Sequence, residues 1–389
     1  MKTLSIIADF ASSGGTRTYF IQLINYFSQN HKNHDIEKIY VFLMQNQNDE
    51  EIKKLLSQSS IFKPVILPRI YQFTIISKVF RKINLLDWYE FIFEKLTVNK
   101  ILRYKPDAMI FSTGNSTRYF YSMTKETPTL IISHTLIQSN PLNRKYKNKI
   151  YLKYKDNCNP LSRFCSVSEI GKSLYDKYMT VSKDSNLYNV ITNHGGYAKD
   201  SIIHKTHSSL TILTLGLLAG FKNPDLWLNI AKKITEKCKK EKIPVPDFIW
   251  AGEGLYFDRL VESTKNFPNI KFIGFKKDTA PLYQNADIYI QPSVTENCCL
   301  SVIEAMKYSL PCIVSNVGGL PEQVKNNYNG YLCTYDNEND FSEKLFSLIK
   351  NKNKRLSFGK ASRKIFEEKY SQEVWEQNFS NIINTILNQ

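Results

Sequence analysis

The feature that most constrains the fold is a regular alternation of short apolar runs with longer helical patterns. The runs of the first half, rich in β-branched and aromatic residues, are LSIIADF, KIYVFLM, DAMIFST, TLIISHT and RFCSVS. A second series begins after about residue 205 and consists of LTILTLG, DFIWAGE, IKFIGF, ADIYIQPS, PCIVSN and GYLC. Buried strands that alternate with helices are typical of parallel sheets. The sequence therefore predicts an α/β protein with two doubly wound, Rossmann-like domains.

Chain length and one polar stretch set the expected division into domains. A chain of 389 residues is longer than one hydrophobic core usually serves, which favours two domains of roughly 150–200 residues. Residues 197–209 are polar and lack apolar periodicity, so they are the candidate linker. We predict a first domain over residues 1–203 and a second over residues 204–370. Open α/β sheets bind ligands beyond the carboxyl ends of their strands, so functional residues are expected directly after the apolar runs.

Composition excludes disordered and fibrous chains and gives no sign of a membrane span. Hydrophobic residues make up 42% and charged residues 23% of the chain, and there is no glycine, proline or serine tract. No apolar run reaches the roughly 18–20 residues of a spanning helix. Asp9 also interrupts the opening LSIIADF, where a signal peptide would need its apolar core. These features predict a globular protein that stays in the cytosol.

The seven cysteines are predicted to be reduced thiols rather than metal ligands. They form no C-x-x-C pair, and no His-x-x-x-His stands near them, so a zinc site is not expected. The vicinal pair Cys298-Cys299 fits two interpretations, a redox switch or small buried residues beside a site, and the second is favoured.

The charge balance favours anionic partners. Fifty-two Lys and Arg against 36 Asp and Glu give a net charge of +16, which suits nucleic acid, anionic lipid or phosphorylated substrates. Codon bias in an AT-rich genome would also raise the lysine content, so the placement of the charges matters more than their sum.

Two stretches concentrate cations together with aromatic residues. Residues 144–155 interleave three tyrosines with six cations: Arg144, Lys145, Lys147, Lys149, Lys153 and Lys155. Residues 71–96 combine lysine and arginine with aromatic side chains that include Trp88. In an interfacial helix, aromatic residues enter the headgroup layer while cations meet anionic lipid. An ordinary buried helix with a basic edge fits residues 71–96 equally well. We expect an anionic membrane surface as a partner.

Glycine-rich turns follow the first strand of each predicted domain. Gly14 and Gly15 open a helix after the first run, and Gly216, Gly220 and Lys222 follow the first run of the second domain. Glycine lets the backbone approach an anion, and the N–H groups at a helix start supply donors. A lysine beside such a turn can pair with phosphate. In isolation, a tight turn and a solvated lysine explain these residues equally well.

The densest pattern of candidate residues lies between Gln291 and Glu322. Glu296 closes a loop, Asn297 is predicted to cap the helix that follows, and Glu304 stands eight residues after Glu296. Eight residues are just over two helical turns, so both carboxylates can face one cleft. Without other motifs nearby, a helix-surface glutamate and a cap-region acid would be the default interpretation.

Together these residues resemble the retaining GT-B glycosyltransferases of glycosyltransferase family four, which transfer a sugar from a nucleotide donor. The most specific part is the pair Glu296 and Glu304, with seven residues between them. The accompanying matches are Pro292-Ser293, Ala305-Met306, Val317-Gly318-Gly319 and Pro321-Glu322. The resemblance covers nearly the whole chain and implies a GT-B fold with a cleft between the two domains. It also implies that a C-terminal helix over residues 371–389 packs back on the first domain.

The resemblance implies roles for individual residues. Glu304 would bind the ribose hydroxyls of the nucleotide, Glu296 the hydroxyls of the donor sugar, and Lys222 the diphosphate. His134, after the run TLIIS, would touch the transferring sugar, although a lone histidine is more often structural. Backbone N–H groups at a helix start would add to the diphosphate contact. The remaining donor-binding candidates are Gly15, Gly216, Asn297, Cys299 and Leu300.

Two departures from the family pattern affect the expected donor site. The family usually has arginine directly after the glycine that corresponds to Gly216, and here Leu217 stands in that place. Half of the usual arginine–lysine phosphate clamp is therefore missing. The usual Gly-Phe-Gly after the first glutamate is replaced by Asn297-Cys298-Cys299, which changes the wall around the donor sugar.

The sequence thus predicts a retaining glycosyltransferase that takes a nucleotide sugar, with a UDP-sugar expected. Its acceptor would be a surface polysaccharide or a lipid-linked glycan on the cytosolic face of the membrane. The family works without an essential metal, so we expect no metal and no cofactor. Two alternatives remain: a nucleotide-sugar epimerase of the same fold, and a basic nucleic-acid-binding protein with a degenerate sugar site. Leu217 is the main support for the second alternative, and nucleic acid is the less expected partner.

Overall fold

The computed structural model describes residues 1–9, 15–44, 50–67, 99–113, 126–134, 136, 159–179, 188–198 and 209–387. The chain divides into two compact units. The first consists of Met1–Ile191 with Glu376–Gln389, and the second of Thr192–Trp375.

The division between the units falls earlier in the chain than the predicted boundary at residue 203. The reason is a set of backbone hydrogen bonds that tie the segment after Ile191 to the second unit. Gly195 N–H donates to the Tyr370 carbonyl at 3.1 Å, and Gly195 lies against the side chain of Ile303. The segment before the polar stretch therefore belongs to the second unit.

A seven-stranded parallel sheet forms the centre of the first unit. Its strands are β1 (Lys2–Asp9), β2 (Ile36–Met44), β3 (Phe62–Leu67), β4 (Ala108–Thr113), β5 (Thr129–Ser133), β6 (Arg163–Ser166) and β7 (Tyr188–Val190). They lie in the order β3-β2-β1-β4-β5-β6-β7. Strand β5 is buried along its whole length, as expected where helices cover both faces of a parallel sheet.

Helices cover the first sheet. Those that the structure describes are α1 (Gly15–Asn30), α2 (Glu50–Ser57) and α3 (Glu169–Met179), with a 3₁₀ turn at His31–His34. The C-terminal helix (Gln372–Leu387) contributes its residues from Glu376 onward to this unit. The ring of Phe379 meets Tyr26 of α1 edge to face, with 5.0 Å between ring centroids. These aromatic contacts fix the C-terminal helix against α1.

A six-stranded parallel sheet forms the centre of the second unit. Its strands are β8 (Thr211–Leu215), β9 (Asp247–Ala251), β10 (Ile270–Phe272), β11 (Ile288–Gln291), β12 (Cys312–Ser315) and β13 (Gly330–Cys333). They lie in the order β10-β9-β8-β11-β12-β13.

Seven α-helices and two further helical elements surround this sheet in the part of the chain that the structure describes. The helices are α4 (Pro224–Glu241), α5 (Phe257–Glu262), α6 (Ala280–Gln284), α7 (Leu300–Lys307), α8 (Leu320–Gln323), α9 (Glu338–Lys350) and α10 (Lys352–Ile365). A 3₁₀ turn (Gly220–Lys222) precedes α4, and a π-helix (Phe366–Tyr370) follows α10. Among all described helices, none combines the length and the apolar character that crossing a membrane requires.

Both sheets have the same strand topology. Numbered within its own sheet, each follows the order 3-2-1-4-5-6, and the first sheet adds a seventh strand. The order reverses between β1 and β4 in the first sheet and between β8 and β11 in the second. Ligands of open α/β sheets bind outside the carboxyl ends of the strands at such a switch point. The prediction of two doubly wound domains is confirmed.

Candidate active site

The switch point of the second sheet brings together two of the predicted loops. Strand β8 pairs directly with β11, so the loops 216–223 and 292–299 leave the same edge of the sheet side by side. The Val294 N–H donates to the Phe221 carbonyl at 2.8 Å and joins the two loops. Lys222 lies on the first loop and Glu296 on the second.

The loop after β8 turns back on itself and places Lys222 over its own beginning. Gly216 has a φ of 151°, and a Cβ built on it would lie 3.5 Å from Cε of Lys222. After the 3₁₀ turn, the Asn223 side chain accepts a hydrogen bond from Leu226 N–H at 3.4 Å and caps α4. The Trp250 indole N–H donates to the Gly216 carbonyl at 2.9 Å. Both ends of the loop are therefore fixed.

Lys222 and Glu296, the two residues expected to carry the chemistry, form an ion pair with each other. Lys222 Nζ donates to Glu296 Oε1, and the two side chains are only 13% and 11% exposed. Burial alone would lower the pKa of Lys222, but the Glu296 carboxylate beside it raises that pKa above its ordinary value. Lys222 is therefore a cation at neutral pH. An arriving anion would have to draw Lys222 away from Glu296.

Glu296 is held from two further directions. The Ser293 hydroxyl donates to Glu296 Oε1 at 2.8 Å. The backbone carbonyl of Glu296 accepts the Gly319 N–H at 3.0 Å, and Gly319 lies in the loop after β12. The loops after β8, β11 and β12 thus converge on this residue.

Glu304 lies on α7 and has a different partner. Tyr283, on α6, donates its hydroxyl to Glu304 Oε2 at 2.8 Å. The Tyr283 ring stacks on Tyr308 with 5.4 Å between centroids and an angle of 5° between ring planes. Burial raises the pKa of Glu304, although the Tyr283 hydrogen bond and the Lys307 charge oppose that shift. The carboxylate is oriented by a tyrosine that is itself fixed by stacking.

The start of α7 differs from the sequence prediction in two respects. The prediction that Asn297 caps the helix is wrong, because α7 begins at Leu300 with Cys299 at the N-cap position and no side-chain cap hydrogen bond. The Cys299 N–H, expected to meet a diphosphate, donates to Gln323 Oε1 at 3.1 Å. Gln323 Nε2 in turn donates to the Cys299 carbonyl at 3.0 Å. At Leu300, the first residue of α7, backbone N–H groups lack acceptors within the helix.

The two vicinal thiols sit between these elements. Cys298 is half-buried and Cys299 is buried. Burial raises the pKa of Cys298 to about 12 and that of Cys299 to about 11. Since redox chemistry of a thiol starts from its thiolate, these values favour the interpretation of small buried residues beside a site.

His134 and Gly15 belong to the first unit. His134 follows β5, and its Nε2 lies 3.1 Å from the Ser112 hydroxyl of β4. The Tyr19 ring of α1 meets the imidazole edge to face at 4.6 Å between centroids. Burial lowers the pKa of His134 to about 4, so the imidazole is neutral at pH 7. Gly15 is the exposed first residue of α1.

The predicted membrane-facing and acceptor residues fall outside the described part of the chain. They are Trp88, Arg144, Lys145, Lys147 and Lys149. Leu217, the departure from the expected arginine, is described and is 49% exposed. Lys222 is the single cation in the sequence of the loop 216–223. Among the described residues, no three His, Cys, Asp or Glu side chains group as metal ligands would.

Three residues that form hydrogen bonds with the candidate residues or with Ser293 beside them were not predicted from the sequence: Tyr283, Gln291 and Gln323. Gln291 had the clearest signal of the three in the sequence, because it is an amide residue directly after the run IYI of ADIYIQPS. Gln323 follows the Pro321-Glu322 match, but no sequence motif includes it. Tyr283 carries no local signal that separates it from an ordinary core tyrosine.

The segment that carries this geometry is similar to a known protein family. Residues 199–365 match the family described as glycosyl transferases group 1. That segment contains Lys222, Glu296 and Glu304. Over this segment the chain is therefore similar to glycosyltransferases.

Two curated relatives are glycosyltransferases of lipid-linked substrates by name. The UDP-Gal:alpha-D-GlcNAc-diphosphoundecaprenol alpha-1,3-galactosyltransferase of Escherichia coli is 29% identical over 161 residues, which are 40% of this chain and 41% of that protein. The N,N'-diacetylbacillosaminyl-diphospho-undecaprenol alpha-1,3-N-acetylgalactosaminyltransferase of Campylobacter jejuni is 33% identical over 91 residues, 23% of this chain and 24% of that protein. The chain thus matches less than half the length of either relative.

A solved structure shows the fold over the whole chain. HepE of Anabaena in complex with UDP-glucose superposes with a TM-score of 0.75 at 14% identity, covering 99% of this chain and 100% of that chain. At this identity the likeness shows the fold alone. The predicted GT-B fold class is confirmed.

Proposed function

We propose that the chain is a retaining, metal-independent glycosyltransferase of family four that moves a sugar from a UDP-sugar to a glycan. The observation that carries the proposal is the largely buried Lys222–Glu296 pair at the switch point of the second sheet. It lies inside the segment that matches the glycosyl transferases group 1. A fixed cation at this position suits a diphosphate, and the neighbouring carboxylate suits sugar hydroxyls.

The chemistry of sugar transfer explains why a cation should stand there. As the bond to the sugar breaks, the departing diphosphate gathers negative charge, and a preorganised positive charge stabilises that transition state. Lys222 supplies this charge once it turns from Glu296 to the diphosphate. Glu296 is then released to accept hydrogen bonds from the donor sugar while Ser293 still holds it.

Glu304 would bind the nucleotide. Among the described residues, Tyr283 is the one that donates to its carboxylate, and it uses Oε2. The other oxygen, Oε1, is therefore available for the ribose hydroxyls. Removal of the Glu304 carboxylate from water costs free energy. The two ribose hydroxyls would offset that cost by donating hydrogen bonds to the carboxylate.

The choice of donor and acceptor follows the named relatives. UDP is present in solved structures of the HepE fold neighbour, and a UDP-sugar is named for the E. coli relative. Both curated relatives are named for diphosphoundecaprenol-linked acceptors and alpha-1,3 products. An alpha linkage is what retention gives from an α-linked nucleotide sugar. We therefore propose a lipid-linked or cell-envelope polysaccharide acceptor, reached from the cytoplasmic face of the membrane.

One assay separates this function from its alternatives. The full chain is titrated calorimetrically with UDP-, GDP-, dTDP- and CMP-sugars, and the sugar that binds is incubated with and without undecaprenyl-diphosphate-linked glycans. We expect one UDP-sugar to bind and an alpha-linked product to form only with acceptor. An epimerised sugar nucleotide formed without acceptor would indicate the epimerase. Salt-sensitive RNA or DNA binding with no nucleotide-sugar binding would indicate the nucleic-acid-binding protein.

Peripheral membrane association is tested separately. The stretches 71–96 and 144–155 should bind vesicles that contain anionic lipid, because each cation near such a surface contributes about 1 kcal/mol. Co-sedimentation with anionic but not neutral vesicles is expected, and a variant with Lys145, Lys147 and Lys149 changed to Glu should stay in the supernatant. Equal recovery in the supernatant with both vesicle types would contradict membrane docking.

A further inference from the structure

A buried chain of polar side chains leads from the sheet to the Glu296 carboxylate. The Tyr289 hydroxyl donates to Gln291 Oε1 at 2.8 Å, and Gln291 Nε2 donates to Ser293 Oγ at 2.9 Å. The Ser293 hydroxyl then donates to Glu296 Oε1 at 2.8 Å. Tyr289, Gln291 and Ser293 are fully buried. The chain connects the interior of strand β11 with the residue that we propose to hold the donor sugar.

The hydrogen bonds of this chain run in one direction. The Leu215 N–H lies 3.3 Å from the Tyr289 oxygen, so the phenol accepts there and gives its own proton to its nearest acceptor, Gln291 Oε1. The Leu215 carbonyl, at 3.3 Å, is the more distant acceptor. The Tyr289 bond fixes the amide of Gln291 so that its NH₂ group faces Ser293. Because that amide donates to Ser293, the hydroxyl proton of Ser293 is left to point at Glu296.

The same amide also reaches the start of α7. The Ser301 hydroxyl lies 3.5 Å from Gln291 Oε1 and 3.3 Å from Cys299 Sγ. Ser301 is the second residue of α7, the helix that carries Glu304. Gln291 therefore joins the loop of Glu296 to the helix of Glu304.

Burial of the polar Gln291 side chain in strand β11 costs free energy of desolvation. Strand β11 is buried at every residue, so an apolar side chain of similar volume would satisfy the core without burying polar groups. A buried polar network is tolerated when its members have partners, and it then selects one arrangement of them. We propose that Gln291 is a positioning residue, which holds the Glu296 carboxylate through Ser293 in the orientation that sugar transfer requires. This inference rests on the proposed function.

The geometry indicates that loss of Gln291 would affect sugar transfer rather than nucleotide binding. Glu296 Oε1 is bonded both by Lys222 and by Ser293. When Lys222 turns to the diphosphate, the Ser293 bond remains on the same oxygen and keeps the carboxylate in place. Loss of Gln291 would free the Ser293 hydroxyl to rotate, and Glu296 would lose its fixed direction.

Kinetics of a Gln291→Met variant test the proposal. Methionine keeps the length and approximate volume of the side chain and removes the amide, so the core stays filled. We expect kcat to fall about 10-fold to 100-fold, since a misplaced group at a reaction centre has effects of this order. The donor KM and the Kd of UDP should stay within about threefold of wild type, because none of the hydrogen bonds described for the Gln291 side chain reaches Lys222 or Glu304.

A matched control separates positioning from stability. Thr214 lies fully buried on β8 and donates to the Ile290 carbonyl of β11 at 2.6 Å, so Thr214→Val removes a buried hydrogen bond beside Gln291 without touching the chain that leads to Glu296. We expect Thr214→Val to lower the melting temperature while kcat stays at the wild-type value. An equal loss of kcat in both variants would show that Gln291 acts only through stability and would overturn the proposal.

A double variant tests whether Gln291 acts through Glu296. Adding Gln291→Met to Glu296→Gln should lower the residual turnover by less than about twofold, because the carboxylate that Gln291 orients is already absent. A further loss as large as that of Gln291→Met in the wild-type background would contradict the proposed route.

A crystal structure of the Gln291→Met protein decides the proposal even without turnover. The Ser293 Oγ to Glu296 Oε1 distance should exceed hydrogen-bonding range in Gln291→Met and stay near 2.8 Å in Thr214→Val. An unchanged Ser293–Glu296 contact in Gln291→Met would overturn the inference. If the wild-type chain transferred no sugar from any donor, the proposed function would fail, and this distance would still decide whether Gln291 positions Glu296.

Discussion

The two sheets have the same strand topology, but the side chains at their carboxyl ends differ in charge. At the second sheet, the largely buried cation Lys222 and the carboxylate Glu296 face each other. At the first sheet, His134 lies beside Ser112 and Tyr19, and burial keeps its imidazole neutral at pH 7. One fold therefore places candidate functional residues at the carboxyl edge of a sheet twice, and the loop sequences decide whether that edge carries charged or neutral groups.

Under the proposed function, this contrast would give the two units different parts in the reaction. A fixed cation is useful where charge grows in the transition state, as it does on a departing diphosphate. A neutral imidazole can exchange hydrogen bonds with sugar hydroxyls without attracting the diphosphate. Substitutions at Lys222 and Glu296 should therefore change turnover and donor affinity. Substitution of His134 should mainly change the pH dependence of stability.

The largest effect is expected for Lys222→Ala. Because Lys222 is the single cation in the sequence of its loop, kcat should fall about 100-fold to 1,000-fold, the range seen when one preorganised donor is removed from a charged transition state. Lys233→Ala is the matched control, since Lys233 also pairs with a carboxylate, Glu338 at 3.0 Å, and lies on α4 in the same unit. Steady-state kinetics decide the matter. A fall of less than about tenfold in Lys222→Ala would place the phosphate-binding cation elsewhere.

Glu304→Ala should weaken donor binding rather than turnover. Loss of a charge-assisted hydrogen bond to the ribose costs about 1.5–3 kcal/mol, which corresponds to roughly 10–150-fold in Kd. Tyr283→Phe should give a smaller loss of the same kind, because Tyr283 orients the carboxylate from 2.8 Å. Calorimetry with the UDP-sugar measures both, and Glu343→Ala, an exposed position on α9, serves as control. Unchanged affinity in Glu304→Ala would remove Glu304 from the site.

Glu296→Gln should have opposite effects on transfer and on UDP binding. Turnover should fall, since the sugar loses its carboxylate, while UDP should bind about 3-fold to 10-fold more tightly because Lys222 no longer has a buried anion as a competing partner. Glu338→Gln, which releases the exposed Lys233 in the same way, should leave UDP affinity unchanged. Weaker UDP binding in Glu296→Gln would mean that Lys222 does not exchange one partner for the other.

The smallest effect concerns the neutral edge of the first sheet. Burial lowers the pKa of His134 to about 4, so the unfolded chain takes up a proton below its ordinary pKa of 6.5 while the folded protein does not. Stability should therefore fall as the pH drops from about 6.5 to about 4. In His134→Gln this fall in Tm should be smaller, by about 2–4 °C for each 1 kcal/mol of lost linkage free energy in domains of 150–250 residues. Identical pH profiles of Tm, with pH 7.5 as reference, would show that His134 titrates normally.

The sequence predicted most of the fold because buried parallel strands are continuous apolar runs. The strand that it missed most clearly is β3, which contains Pro64 opposite Val41 of β2. Proline cannot donate to a sheet ladder and is tolerated at an edge, and β3 is an edge strand. Recognising it required knowledge of its position in the sheet, which the local pattern of residues 62–67 does not contain.

For the candidate site, the sequence predicted which loop or helix carries each residue better than it predicted the hydrogen-bond partners. Lys222, Glu296 and Glu304 were identified with their loops and helix, but their partners lie on other elements. Tyr283 reaches Glu304 from α6, and Gln323 reaches Cys299 from α8. Such pairs are created by tertiary packing, so neither spacing nor periodicity could reveal them. The cap assigned to Asn297 was wrong for a related reason, since the loop continues two residues further before α7 starts.

A crystal structure of the full chain with UDP tests the central claim most directly. If the switch point of the second sheet is the donor site, a phosphate oxygen should lie within hydrogen-bonding distance of Lys222 Nζ, and a ribose hydroxyl should contact Glu304 Oε1. Lys222 should then have left Glu296, while Ser293 still donates to the Glu296 carboxylate. UDP bound elsewhere, with the Lys222–Glu296 pair intact, would contradict the account.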